Sequence, residues 1–131
     1  MGTTVEDVMT PDPLCMAPTA TVSEAYALMK ERGFRHVPIC EGDLLLGVFS
    51  MTDVGHLGAK VPEIMLKPLH EVMTKNLITV KPTETVAAAA AMMASKKINC
   101  LLVVVGRKLA GIVTTYDLLD ALARNTRDSS A

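Results

Sequence analysis

The chain contains no tryptophan, and its aromatic residues are two tyrosines and two phenylalanines. A core or a ligand surface in it must therefore be built from aliphatic side chains and from the nine methionines. An excess of one charge is also lacking, since thirteen basic residues against fourteen acidic ones leave a formal net charge of −1. That balance supplies no electrostatic footprint for nucleic acid and no pull toward an acidic membrane surface. Long hydrophobic runs are missing too. The longest, Val86 to Ala94, falls well short of the ~20 residues that cross a bilayer. The opening residues, Met1-Gly2-Thr3-Thr4-Val5-Glu6-Asp7, have neither the basic nor the apolar region of a secretory leader, and Glu6 stands where a myristoylation motif needs Ser or Thr. A cytoplasmic protein is the expectation. Cysteine is scarce: Cys15, Cys40 and Cys100 are odd in number, form no CxxC, and read as buried free thiols in a reducing compartment.

Half of the 131 residues are hydrophobic and 21% are charged, a composition that excludes intrinsic disorder. The length fits one ordinary domain, or two very small modules sharing a core.

The second possibility has a specific basis. A shift of 64 residues superposes the two halves of the chain without a gap. Val8-Met9-Thr10 falls on Val72-Met73-Thr74, Pro18-Thr19 on Pro82-Thr83, and Thr21-Val22 on Thr85-Val86. Met29 matches Met93, Gly42 matches Gly106, Gly47 matches Gly111, and Asp53 matches Asp117. Composition bias aligns a few alanines, but it does not align Pro, Gly and Asp at one offset. The chain is a tandem repeat.

Within each copy the pattern is β-α-β-β-α. A short strand near Leu14–Met16 (Ile78–Val80 in the second copy) precedes a long helix. Thr21 followed by Glu24 and an apolar face at Val22, Ala25, Leu28 and Met29 marks a capping-box helix start, and Gly33 marks its end. Strands at 36–40 and 44–50 flank the turn Glu41-Gly42-Asp43, and Asp53 opens a short helix to about Leu57. The second copy reads as helix 86–97, strands 100–105 and 109–114, and helix 117–124. The residues divide as 5–57 for repeat 1, 58–68 for the connection, 69–124 for repeat 2 and 125–131 for a polar tail, all within one module spanning 1–131. Copies of about 60 residues bury too little surface to stand comfortably alone. Two that pack sheet to sheet through a pseudo-two-fold axis make one α/β domain.

The chemistry concentrates in two segments, Gly47-Val48-Phe49-Ser50-Met51-Thr52-Asp53 and Gly111-Ile112-Val113-Thr114-Thr115-Tyr116-Asp117. Both read Gly, two apolar residues, Ser or Thr, two variable residues and Asp, at a strand end that enters a helix. Such a corner can bind a nucleotide. Gly allows a ligand close to the backbone, a hydroxyl beside a helix N-terminus suits a phosphate, and an ionised carboxylate offers two acceptors to a ribose. The plainer alternative makes Asp53 and Asp117 helix caps worth ~1 kcal/mol each.

The tandem repeat, the Val-Met-Thr opening, the Pro-Thr-x-Thr-Val helix start and the Gly-to-Asp ending together resemble a pair of CBS (cystathionine β-synthase) domains, a Bateman module, over roughly Val5 to Ala123. The resemblance implies sites for an adenosyl effector (AMP, ADP, ATP or S-adenosylmethionine) in clefts between the repeats, no required cofactor, and homodimerisation. It makes Asp53 and Asp117 the ribose ligands, with Ser50, Thr52 and Thr114 as phosphate-side hydroxyls. Gly47 and Gly111 belong to the same motif. Pro13, Leu14 and Cys15, and Leu77, Ile78 and Thr79, would line the adenine slot with Val37, Pro38 and Leu101 alongside. Arg35 and His36 would serve the phosphates of one site; Asn99 and Cys100 stand in their place in the second copy, which implies inequivalent sites.

Other chemistry finds little support. His36, His56 and His70 show no metal-ligand spacing, and Ser50, Asp53 and His56 crowd one turn and cannot form a separated triad. No catalytic residue is expected. Helix 86–97 carries Ala87, Ala88, Ala90, Ala91 and Ala94 where its counterpart is polar, which reads either as helix propensity or as close packing across a dimer. The expected function is a regulatory adenosyl-ligand sensor acting on a separate effector protein or on its own oligomer. The alternatives are a structural dimerisation module with empty clefts, or an S-adenosylmethionine binder.

Overall fold

The computed structural model of the chain describes residues 3–50 and 61–130. In chain order its elements are α1 (Val5–Val8), β1 (Thr10–Pro11), α2 (Val22–Arg32), β2 (His36–Glu41), β3 (Leu44–Ser50), α3 (Val61–Met65), α4 (Leu69–Val72), β4 (Thr79–Val80), α5 (Val86–Lys96), β5 (Cys100–Val105), β6 (Lys108–Thr114) and α6 (Thr115–Ser130). They form two compact units. One is Leu14–Leu77; the other joins Met1–Pro13 to Ile78–Ala131.

Local signals account for the long elements. The Thr21 side chain accepts from the Glu24 backbone N–H at 3.1 Å and its hydroxyl donates to Glu24 Oε1 at 3.3 Å, so α2 starts on the expected Thr21 cap, with Glu24 bonded to the cap hydroxyl where a capping box would bond the cap backbone. Val22, Ala25 and Met29 form its buried face. Gly33 ends it in the left-handed region (φ 76°), where its N–H reaches Met29 O at 2.9 Å. In α5 the corresponding cap is Thr85, accepting from Ala88 N at 3.0 Å. Its last turn closes on Lys97 at φ 56°, a conformation that costs a residue with a Cβ more than glycine.

Each unit contains one antiparallel hairpin. His36 pairs with Ser50 and Glu41 with Leu44 in β2–β3, and Cys100 pairs with Thr114 and Val105 with Lys108 in β5–β6. Both ladders slip by a bulge at repeat-equivalent points, between Ile39 and Cys40 and between Val103 and Val104. In the second hairpin Leu101, Leu102 and Val103 are buried in succession, as expected of a strand covered on both faces, whereas Val105 is 61% exposed.

The first residues of each sequence repeat complete the unit that holds the other repeat's helix and hairpin. Thus α1 docks on the start of α5: Val5 N donates to Glu84 O at 2.8 Å, Glu6 N to Pro82 O at 3.0 Å, and Val86 N to Thr3 O at 2.9 Å. β1 then pairs with β6 through Thr10–Ile112 and Pro11–Gly111. The Leu14–Leu77 unit repeats these contacts 64 residues away. Leu69 N donates to Ala20 O at 2.7 Å, His70 N to Pro18 O at 3.0 Å, Val22 N to Lys67 O at 3.0 Å, and Thr74 bridges Val48.

Each unit has its own core. One gathers Val5, Leu101, Val113 and Leu118; the other gathers Met29, Val37, Phe49 and Leu69. Phe49 is the one aromatic among these buried core side chains, and methionines fill much of the remaining space.

Three expectations change. Helix α6 runs to Ser130, through residues read from sequence as a polar tail; no Gly or Pro interrupts it. The connection contains the helix Val61–Met65. Cys15 is exposed and not buried, because it lies on a connecting segment outside either core. The short helix expected from Asp53 lies outside the described residues.

Candidate ligand-binding site

The Gly-to-Asp corner is described at the second copy, where β6 runs into α6. Thr114 N donates to Asp117 Oδ2 at 2.8 Å, the Thr114 hydroxyl donates to the same oxygen at 3.0 Å, and Asp117 N donates back to Thr114 Oγ1 at 3.3 Å. Asp117 is thus the third residue of a capping box and not the cap itself. Thr115 ties the helix start to the residue that precedes β5, its N–H reaching Asn99 O at 3.0 Å. The same arrangement holds α1, where Thr4 N and Thr4 Oγ1 donate to Asp7 Oδ2 at 2.9 and 3.0 Å and hold the Asp7 carboxyl below its ordinary pKa. Capping alone therefore accounts for a Thr-x-x-Asp box in this chain. At Asp117, however, both bonds to the carboxylate end on Oδ2, and Oδ1 carries no hydrogen bond among the described residues. Cys100 sits opposite Thr114, and burial together with the nearby Asp117 carboxylate pushes its thiol up to about 12.

In the Leu14–Leu77 unit the matching corner holds Ser50 paired directly with His36, with Arg35 exposed beside it. Thr52 and Asp53 lie outside the described residues. A chain segment runs beside each hairpin. Met16 N donates to Pro38 O at 3.0 Å and Cys40 N to Met16 O at 2.9 Å, which lays Leu14-Cys15 along Val37-Pro38. In the other unit β4 pairs in parallel with β5, Thr79 against Leu102. Leu14 is 45% exposed, Cys15 is exposed, and Ile78 and Thr79 are half-buried. Pro13 and Leu77 are half-buried as well, each in the compact unit opposite to its two slot neighbours.

Several side chains expected at a ligand are occupied otherwise. Val37 and Leu101 are fully buried and belong to the two cores, so their side chains present nothing to a ligand; Pro38 is fully buried too. The strands are apolar at consecutive positions, and the face turned to the core took these residues. Gly47 and Gly111 do permit a close approach, but the chain itself makes it. A Cβ on Gly111 would stand 2.5 Å from Met9 Sδ and 2.9 Å from Thr10 O; one on Gly47 would stand 2.5 Å from Met73 Sδ and 2.9 Å from Thr74 O.

A family model for the CBS domain matches residues 5–56 and 69–124. The chain belongs to the CBS domain family. The CBS domain-containing protein YhcV of Bacillus subtilis is 30% identical over 114 residues, covering 87% of this chain and 81% of that protein. A homoserine O-acetyltransferase of Methanohalobium evestigatum is 32% identical over 118 residues, 88% of this chain, and this chain spans 23% of its length. Among solved structures, a Vibrio cholerae protein named for acetoin utilization (AcuB) superposes with a TM-score of 0.89 at 31% identity, covering 99% of this chain and 97% of that one. CBSX2 in complex with AMP (TM-score 0.84) and the CBS domain pair of MJ0100 in complex with 5′-methylthioadenosine and S-adenosyl-L-methionine (TM-score 0.86) are each 26% identical, over 95% of this chain and 99% of theirs. The α/β fold expected of a CBS pair is the fold found.

Sequence reasoning missed two features of this CBS pair. The lead-in methionines Met9 and Met73 occupy the space over Gly111 and Gly47, and the shared 64-residue offset of the two methionines and of the two glycines was the available signal. An apolar groove of about 480 Å³ also opens between α5 and α6, lined by Ala90, Met93, Ala94, Ile98, Leu118 and Leu119 among others. Among the described residues no three His, Cys, Asp or Glu side chains could hold a metal ion, and no helix is long and apolar enough to cross a membrane.

Proposed function

We propose that this CBS pair is a cytoplasmic regulatory module that binds an adenosyl ligand of the AMP, ADP and ATP class and performs no catalysis. The carrying observation is that two similar CBS pairs hold AMP, or 5′-methylthioadenosine and S-adenosyl-L-methionine. This chain's own residues support the reading. Asp117 has one carboxylate oxygen uncommitted by its capping box and available to ribose hydroxyls. Asp53 takes the equivalent role in the first copy. Thr114, Ser50 and Thr52 supply hydroxyls on the phosphate side of the ligand. Leu14, Cys15, Ile78 and Thr79 contact the base, since aliphatic side chains must replace the missing aromatics. Arg35 adds a charge, and His36 a basic ring, that Asn99 and Cys100 do not, so the site they serve takes the more charged ligand. With few other basic residues nearby, a mono- or diphosphate, or S-adenosylmethionine, is held more easily than bare ATP.

Ligand binding shifts the population of two arrangements of the module and passes the change to a partner protein or a second copy. The exposed alanines of α5 with Tyr116, Leu119 and Leu122 of α6 give such a copy an apolar face, which favours a homodimer. A purely structural dimerisation module draws on the same face. Thermal denaturation with AMP, ADP, ATP and S-adenosylmethionine separates the two. A ligand at 100 times its dissociation constant should stabilise by ~2.7 kcal/mol, and Asp117→Ala and Asp53→Ala should lose that shift. If no adenosyl compound raises the Tm, the structural reading stands in its place.

A further inference from the structure

We infer that the turn of the β2–β3 hairpin in one copy of the chain docks on the turn of the β5–β6 hairpin in another, joining copies head to tail. The two turns share a backbone and differ in charge. Gly42 and Gly106 stand at φ 63° and 66°, and the closing pairs are Glu41–Leu44 and Val105–Lys108. A shift of 64 residues sets Glu41 on Val105, Asp43 on Arg107 and Leu44 on Lys108. One tip therefore carries two carboxylates and a leucine, and the other carries two cations and a valine. All six residues are exposed, Leu44 by 37% and Val105 by 61%. The matching backbones call for a glycine in each turn, and nothing in the two ladders calls for acid at one tip and base at the other.

The register of the closing pairs decides which tips fit. Consider two hairpins that meet end to end in one plane, one rotated by half a turn about the sheet normal. The first strand of each then meets the second strand of the other. Glu41 faces Lys108, Leu44 faces Val105, and Asp43 lies diagonally to Arg107 with a glycine opposite each. Acid meets base, and aliphatic meets aliphatic. Two like tips in the same orientation set Glu41 against Leu44, or Val105 against Lys108, and gather four charges of one sign. Such like-charge juxtaposition suppresses the wrong pairing. The complementary contact joins two different patches, so it is heterologous and either closes as a ring or extends as a chain.

The contact is small. Exposed ion pairs contribute little apiece and are screened by salt, and Leu44 with Val105 adds a modest apolar patch, so copies associate weakly. The screening length falls from about 30 Å at 0.01 M salt to about 3 Å at 1 M, which makes the association salt-sensitive. None of the six residues belongs to the apolar face of α5 and α6. The tip contact therefore goes beyond the proposed homodimer and does not depend on it, nor on any ligand.

Sedimentation velocity of the full chain over a wide concentration range, at about 0.02 M and about 0.5 M NaCl, reads the association. At low salt the average mass should keep rising with concentration, and the apparent association constant should fall at least about tenfold at high salt. Reversing the acidic tip (Glu41→Lys with Asp43→Lys) or the basic tip (Arg107→Glu with Lys108→Glu) should abolish the rise. The chain carrying all four reversals keeps the net charge of −1 and should associate as the parent does, because its tips are complementary again. Leu44→Ser should weaken the association without removing its salt dependence. A rise that persists at high salt or in either single-tip variant overturns the contact. So does a fourfold variant that fails to associate, or a parent chain whose mass does not rise with concentration at either salt.

Discussion

Placing a methyl group at Gly111 tests how the two units are completed. A Cβ there would lie 2.5 Å from Met9 Sδ, 3.0 Å from Met9 Cγ and 2.9 Å from Thr10 O. The methionine is flexible and can yield. The carbonyl is backbone, held by the pairing of Thr10 with Ile112 and of Pro11 with Gly111, and yields only if β1 lifts from β6. Overpacking of this kind costs ~1–3 kcal/mol. Gly111→Ala should therefore destabilise the ligand-free protein by about 2 kcal/mol in urea unfolding, on the order of 6–8 °C in Tm for a chain of this size. Combining it with Met9→Ala removes the sulfur clash but leaves the carbonyl. The double variant should then be more stable than the sum of the two single effects by ~1 kcal/mol. Gly47→Ala with Met73→Ala should behave in the same way, since its distances are nearly the same. A Gly111→Ala protein within about 0.5 kcal/mol of the parent, with only ligand affinity reduced, would refute the reasoning and return the glycine to the ligand.

Two further outcomes follow from the β6–α6 corner. Thr114→Val removes both hydroxyl bonds of the capping box and should cost ~1 kcal/mol in urea unfolding, whereas Thr114→Ser should keep most of it. Cys100 bears on alkaline stability: its thiol titrates near 9.0 when unfolded but only about 12 in the native protein. Below pH 9 both states keep the proton and Cys100 adds no pH dependence; as pH rises from 9 toward 12 only the unfolded state releases it, so native stability falls. Cys100→Ala should flatten that fall, and unfolding curves on either side of pH 9 with the same slope as the parent would contradict it.

Much of the site was legible because its signals are local. Thr21, Glu24 and Gly33 bound a helix through contacts within three or four residues, and the hairpins follow from short apolar runs around tight turns. Thr114 and Asp117 were recognised as one unit for the same reason, although only coordinates distinguish a cap at Asp117 from the third residue of a capping box. The inward and outward faces were less accessible. Val37 and Leu101 lie in strands apolar at consecutive positions, so periodicity carried no information about which side chains meet the core.

The amino-acid sequence by itself determined the duplication, the order of helix and hairpin in each copy, and the family. Tertiary structure alone decided which lead-in belongs to which unit. A self-match of 64 residues makes Val8-Met9-Thr10 equivalent to Val72-Met73-Thr74, and it stays equally good when the two segments exchange hairpins. The exchange is chosen by contacts between residues far apart in the chain, such as Met9 over Gly111, and a repeat leaves such contacts undetermined.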